Sequence, residues 1–377
     1  MEGVDPPAVA ANADASNASS VTLHVAVLNQ VESFSSHQAW AVGQHSAGRA
    51  THSLIDHWNG STWRAVPAPS PTGPSTNVTL AGVAQASANS AWAVGSYGRS
   101  SLSRHTFILH WNGSVWKELP SPSPGADAFL ESVAATSDAR AWAVGYALAG
   151  GVYSPVIERW DGTSWTLASS PSPNDASLYS VAATSASDAW AVGRYVDPSH
   201  KASTLILHWN GSAWSQVPSP NPPNGVALYS LVGVAATSAS NAWAVGNDAS
   251  GVLALRWNGS SWIRVATPSP PARAAERLFG VAVTSKTDGW AAGSTYNRTS
   301  GHYATLILHW DGHAWKRVAS PNQPSALGGG NQLFAVSANS RKSAWAVGYY
   351  NGKSSPASSY TLSVRWNGVK WKHVTSP

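Results

Sequence analysis

Every tryptophan in this chain belongs to a phrase spelled seven times, and that fact alone rules out most folds. WNG or WDG begins at Trp58, Trp111, Trp160, Trp209, Trp257, Trp310 and Trp366. A second indole follows five residues later each time, at Trp63, Trp116, Trp165, Trp214, Trp262, Trp315 and Trp371. Upstream of each pair stands AWAVG or a close variant, at Trp40, Trp92, Trp142, Trp190, Trp243, Trp290 and Trp345. Three sets of seven use up all 21 tryptophans of the 377 residues. The step between successive AWAVG indoles runs from 47 residues (Trp243 to Trp290) to 55 (Trp290 to Trp345). Repetition at this period marks supersecondary units that cannot bury their apolar faces alone and must stack on one another.

A full unit reads L-x-x-V, a short polar turn, A-W-A-V-G, a variable loop, L-I-L-H-W-N-G-x-x-W-x-x-V, and P-S-P. No stretch has helical periodicity, and Pro and Gly punctuate every unit. Four short strands fit, A around Val181, B around Trp190, C around Ile206 and D around Trp214. The prediction is an all-β chain, a seven-bladed β-propeller with four antiparallel strands per blade. Its blades are expected at about 21–71, 72–124, 125–173, 174–223, 224–270, 271–324 and 325–377, after a disordered leader at 1–20. Strands C and D read as a hairpin turning on Asn-Gly or Asp-Gly, the pair suited to the positive φ angles of a type I′ turn. Whether two or four residues form that loop, parity puts both indoles on one face. In strand B, Trp and Val share one face and Ala and Gly the other, so each blade is expected to set a bulky face against its neighbour's small one. At about 25 cal/mol per Å², each buried indole contributes roughly 4–6 kcal/mol gross, which makes the tryptophans core rather than ligand platforms.

Composition narrows the functional classes. There is no cysteine, so disulfide and thiol chemistry are excluded. Net charge is +5 with pI about 9.4, but the 23 Lys and Arg are scattered, and a nucleic-acid partner is not expected. No apolar run is long enough to span a bilayer. No His, Asp or Glu pattern has metal-ligand spacing, and no cofactor motif is present, so no metal and no cofactor are expected. A monomer is expected. The opening residues carry Glu2 and Asp5 where a signal peptide would be basic. The compartment stays unassigned, secreted if a leader is missing from this chain and cytoplasmic otherwise.

These residues resemble the seven-bladed propellers built from kelch, Asp-box and related Trp-rich repeats. The N-G-x-x-W turn, as in Asn210, Gly211 and Trp214, looks like a loose relative of the Asp-box hairpin without its S-x-D-x-G spelling. The glycine after WAV is similar to that of the kelch strand, without a Gly-Gly doublet. The resemblance covers about residues 28–377 and implies fold more than activity, since such propellers include sialidases, oxidases, lectins and protein-binding scaffolds. With a strand A near Leu28 and a strand D near Val374, the ring is expected to close without exchanging strands. Val21–Val27 is a candidate extra edge strand.

The B–C and D–A connections carry the variation and emerge on one rim. Candidate ligand contacts there are Tyr97, Arg99, Tyr146, Arg194, Tyr195 and Asn247, together with Asp248, Tyr296, Arg298, Tyr349 and Tyr350. Aromatic rings beside Asn and Arg suit a sugar-binding groove. The leading expectation is therefore a non-enzymatic, lectin-like glycan-binding module, the alternative a protein-interaction scaffold, and the third a carbohydrate-active enzyme with one axial site. Catalytic residues are not assigned. Asp56 and Glu158 are the weak candidates, because they break the repeat where strand C normally has Leu or Val. A sialidase would need an arginine cluster and a Tyr–Glu pair on the axis, and no set of residues singles itself out. The position before each WNG tryptophan is His57, His110, Arg159, His208, Arg256, His309 or Arg365, and is read as packing over an indole.

Overall fold

The structure, a computed structural model, describes residues 25–377 apart from 48–49, 72–75, 101–102, 126, 199, 222–229, 249–250, 326–329 and 353–357. Its 28 strands fall into seven successive antiparallel groups of four, with no helix among the described residues. Unit four shows the plan, with strands Ser177–Ser185 (A), Asp188–Val196 (B), Ala202–Trp209 (C) and Trp214–Gln216 (D) paired in that order. Strand D stops after three or four residues in every unit. The prolines that follow, P-S-P in units one to five, withhold N–H groups a longer ladder would need.

The A strands are Val25–Ser35, Asn77–Ser87, Ala128–Ser137, Ser177–Ser185, Ser230–Ser238, Ala274–Ser285 and Asn331–Ser340. Each lies against the next and the seventh against the first, so the units close around an axis. Units one and seven share one eight-stranded sheet, but a single parallel bridge, Val25 with Ser359, makes the join. Two other junctions carry the same kind of bridge, Arg104 with Asp127 and Tyr303 with Gly330. The join is thus an ordinary contact between neighbours, and unit seven ends in its own strand D, Trp371–His373. Val25–Val27 do not form an added edge strand. They open strand A of unit one, paired with Ser46, His45 and Gln44. Val21–His24 and the expected leader at 1–20 lie outside the described residues.

Indoles lock the junctions. Trp40 of unit one meets Trp111 and Trp116 of unit two at ring-centroid separations of 5.0 and 5.1 Å, the second edge-on at 82°. The triad recurs at every junction, ending with Trp345 on Trp58 and Trp63, each at 4.8 Å. Trp40 and Val42 share a core cluster with Ala91 and Ala93 of unit two, which is the bulky face on the small one. The strand C indole also pins the A–B turn, as where Trp209 Nε1 donates to the Ala186 carbonyl at 3.1 Å. Over the triads lie the basic positions, His208 on Trp190 at 4.1 Å and Arg159 on both Trp142 and Trp209 at 5.5 Å. Trp190 is fully buried with Trp257 and Trp262 in one cluster. Trp190→Ala should therefore cost about 3–5 kcal/mol in urea unfolding, the range for an aromatic deleted from a packed core. A loss under about 1 kcal/mol would mean that the triads do not hold the ring together.

The C–D loop has four residues, not two. Trp58 stands directly opposite Trp63, and Asn59 N–H donates to the Thr62 carbonyl at 3.3 Å. Only the glycine takes a positive φ, 98° at Gly60, so the type I′ expectation does not hold. The asparagine acts through its side chain instead, Asn59 Oδ1 accepting the N–H groups of Ser61 and Thr62 at 3.0 Å each. Asp161 and Asp311 do the same in their units.

Candidate functional site at the axial channel

Along a regular strand, residues three apart face opposite ways. Yet the Leu and Val of L-x-x-V are buried in the same cluster, Leu178 with Val181 and Leu28 with Val31. A β-bulge reconciles the two. In all seven A strands the pairing with strand B skips the residue after the leucine, for example from Leu178 to Ser180. The skipped residues are Asn29, Ala81, Glu131, Tyr179, Val232, Phe279 and Phe334, and each lines the axial channel. The glycine of WAVG permits this. Gly193 pairs with Leu178, where a Cβ would lie 1.8 Å from the Ser177 carbonyl oxygen, and the other six equivalents are as tight. Below the bulge the A strands approach one another closely. Ser132 Oγ accepts the Val181 N–H at 3.2 Å, and Ser180 Oγ accepts the Val234 N–H at 3.1 Å.

The channel holds about 640 Å³. Its mouth, at the level of the bulges, lies toward the rim of variable loops, because the D–A connections feed the starts of the A strands. One arc is aromatic. Phe279 and Phe334 meet edge-on at 5.6 Å, Tyr349 lies 5.5 Å from Phe334, and Gln332 Nε2 donates to the Tyr349 hydroxyl oxygen at 2.7 Å. The opposite arc is acidic and phenolic, since unit three stands across a ring of seven from the junction of units six and seven. Burial pushes the Glu131 carboxyl above the usual carboxylate range, and a hydrogen bond with Tyr146 pulls it partly back. The Tyr146 hydroxyl is raised by burial and by the neighbouring Glu131 charge. Three residues beyond the bulge of unit one, roughly 10 Å deeper at a strand's rise, stands Glu32. Other units have Ala or Ser there. Burial pushes Glu32 up to about 7, against the bond it accepts from Ser337 Oγ at 3.4 Å. No lysine, arginine or histidine is among the described residues lining the channel.

The residues expected from sequence are dealt out by alternation after the WAVG glycine. Those one place on form a second ring behind the bulges. Tyr146 touches Tyr179 at 6.3 Å and Glu131, Arg194 lies over Tyr153 at 5.9 Å, and Tyr349 backs Phe334. Asn247, in the same ring, ties unit five to unit six by bonding both the Leu278 carbonyl and N–H at 3.0 Å. Those two places on turn to the other face. Tyr97, Tyr195 and Tyr350 pack against core clusters. Asp248 pairs with Arg264 at 2.7 Å, and Tyr296 lies 4.8 Å from Tyr303. Arg99 and Arg298 are exposed. Asp56 and Glu158 are buried between units, away from the channel, and burial pushes each up to about 7. Glu158 accepts from Ser121 Oγ at 3.0 Å.

The bulged residues went unread in the sequence, although the spacing of three in L-x-x-V betrays the extra residue. Glu131 and Tyr146 make an axial Tyr–Glu contact that the sequence did not single out. The arginine cluster of a sialidase does not accompany it among the lining residues. No group of three His, Cys, Asp or Glu able to hold a metal occurs among the described residues. No helix there is long and apolar enough to cross a membrane.

No family model matches the chain, and no curated protein does. Solved structures do match. One described as YCF48 bound to D1 peptide is 13% identical with a TM-score of 0.53, over 87% of this chain and 91% of that one. The RRP9 WD40 repeats are 11% identical with a TM-score of 0.53, over 86% and 87%. The acylaminoacyl peptidase of Pyrococcus horikoshii is 8% identical with a TM-score of 0.54, over 93% of this chain and 52% of that one. The fold is a β-propeller. At these identities the likeness extends to the propeller frame alone, four antiparallel strands per blade around an axis, and its site has to be read from its own residues.

Proposed function

We propose that this seven-bladed propeller is a non-enzymatic binding module whose ligand, a segment of another polypeptide, seats in the channel mouth on the variable-loop rim. One observation carries the reading. The bulge and its glycine repeat in all seven units, while the residue the bulge aims at the axis differs almost from unit to unit. A constant device presenting varied side chains at one level is a frame for recognition. Glu131 has the Tyr146 hydroxyl beside it, but no arginine cluster accompanies this Tyr–Glu contact among the described lining residues, and Glu32 bonds the Ser337 hydroxyl.

The glycan reading keeps some support in the rings beside Gln332 and Asn29. Against it, two of the three rings reaching the channel, Phe279 and Phe334, carry no hydroxyl (the third is Tyr179), and below them the wall is largely valine and alanine. A sugar would leave hydroxyls unpaired there, whereas an extended chain can present one side chain end-on. The YCF48 propeller was solved with a peptide; this supports only the capacity of such a frame to hold one. A peptide array and a glycan array probed in parallel test the reading. Peptide binding is expected, weakened at least about tenfold by Phe334→Ala, the scale set by losing one aromatic contact. Glycan binding in its place, or peptide binding untouched by Phe334→Ala, would overturn it.

A further inference from the structure

We infer that the channel mouth selects a cationic side chain, the guanidinium of arginine or the ammonium of lysine, held between Glu131 and the Phe279–Phe334 pair. The inference rests on the axial mouth being the binding site and adds the chemistry of what enters.

Charge is the first ground. The chain as a whole carries +5, yet the channel wall carries two carboxyl groups and, among the described residues, no base. Both carboxyls sit uneasily there, since burial favours their neutral forms and nothing positive lines the channel to offset it. An entering cation supplies the missing charge.

Shape and surface are the second ground. Two phenyl rings stand across the axis from Glu131, at the same level of the ring, and an aromatic wall facing a carboxylate suits a cation on an apolar stem. A metal ion would instead need several oxygen or nitrogen ligands converging, and the described residues offer no such group.

The other groups packed around Glu131 come from units three and four. From unit three come Tyr146 and Tyr153, and from unit four Tyr179 and Arg194. The Arg194 guanidinium lies over the Tyr153 ring at 5.9 Å, in the second ring. Its charge opposes a cation on that side, so the cation has to sit toward the axis, away from the second ring. Arg104 lies over Phe129 at 5.9 Å, and Glu32 adds a negative field from below only at a pH above about 7.

Proton linkage follows from the geometry. Burial raises the Glu131 pKa in the empty channel, and a bound cation would lower it again. Affinity for a cation then rises with pH through the window between the ordinary carboxylate range and the raised value, and binding releases protons.

The probes are pentylguanidinium and its neutral isostere pentylurea, titrated into the full chain by ligand-observed NMR at about pH 5 and about pH 8, on either side of the Glu32 value of about 7. The expected result is at least tenfold tighter binding of the guanidinium, more so at the higher pH. Glu131→Gln should abolish the preference while leaving the urea unchanged, and Phe334→Ala should weaken both. Equal binding of the two probes, lost in Phe334→Ala, would sink the cation inference and leave the axial site standing. Binding of neither probe would sink both readings.

Discussion

Gly145→Ala is expected to destabilise the propeller by about 3 kcal/mol or more, beyond the usual cost of overpacking a core. A Cβ at this position would lie 1.9 Å from the Phe129 carbonyl oxygen and 2.9 Å from the Leu130 Cα. Those are backbone atoms, and no rotamer change relieves them. The obvious escape is to undo the bulge, but this would slide Glu131 into register and turn Leu130 or Val133 out of the cluster they share. Glycine is present here for the close approach of two strands, since its φ is not among the positive ones. The check is urea unfolding beside the near-ultraviolet circular dichroism of the folded protein. A stability within about 1 kcal/mol of the parent would show that the bulge is not what the glycine serves.

Asp56→Leu should act in the other direction and stabilise the protein by about 2–4 kcal/mol near pH 8, the range for replacing a buried charge by an apolar group. At this place in strand C other units have Leu109, Leu207, Leu255, Leu308 and Val364, all buried. Asp56 is 0% exposed, and neither carboxyl oxygen has a hydrogen-bond partner. It shares a face with Leu54 and Trp58, which pack on Trp345 and Val347 of unit seven. The residue of unit seven that matches Ile55 is Ser363, where units one to four and unit six have isoleucine, so this junction has a smaller side chain than those units supply.

The pH dependence has a definite sign. In the unfolded chain Asp56 releases its proton near 3.8, in the ring near 7, and burial is the cause. Between those values the folded protein holds a proton the unfolded chain has lost, so stability falls as pH rises and levels off above about 7. Glu158 and Glu32, also pushed up to about 7, add in the same sense. The parent should therefore be more stable near pH 5 than near pH 8, and the advantage of Asp56→Leu should shrink at the lower pH. Equal gains at both would mean that the carboxylate is not what costs stability at this junction.

The frame was largely legible in the sequence. Trp and Val of strand B face one way and the alanines the other because strand B is regular, and parity holds wherever pairing is unbroken. The paired indoles of Trp209 and Trp214 followed from the same rule. Parity failed in strand A, where one extra residue per unit resets it. The seven residues aimed at the axis therefore looked like fillers. Among the rim candidates, Tyr146 and Tyr349 stand behind the channel-lining residues while Tyr195 and Tyr350 turn away, a distinction of one residue after the glycine that a loop reading does not resolve. Glu32 and Glu131 were invisible for a further reason. Nothing local marks a carboxyl as axial until seven units have closed around it.

The indole triad that recurs at all seven junctions has a consequence for how such a chain can change over generations. A unit copied in tandem meets neighbours whose surfaces it already matches, so the gene can grow or be patched by whole segments without inventing a new seam. Divergence is then free to concentrate on what the seam does not touch, the variable loops and the bulged residue of each segment. Ancestry would be written in the tryptophans and novelty around the bore.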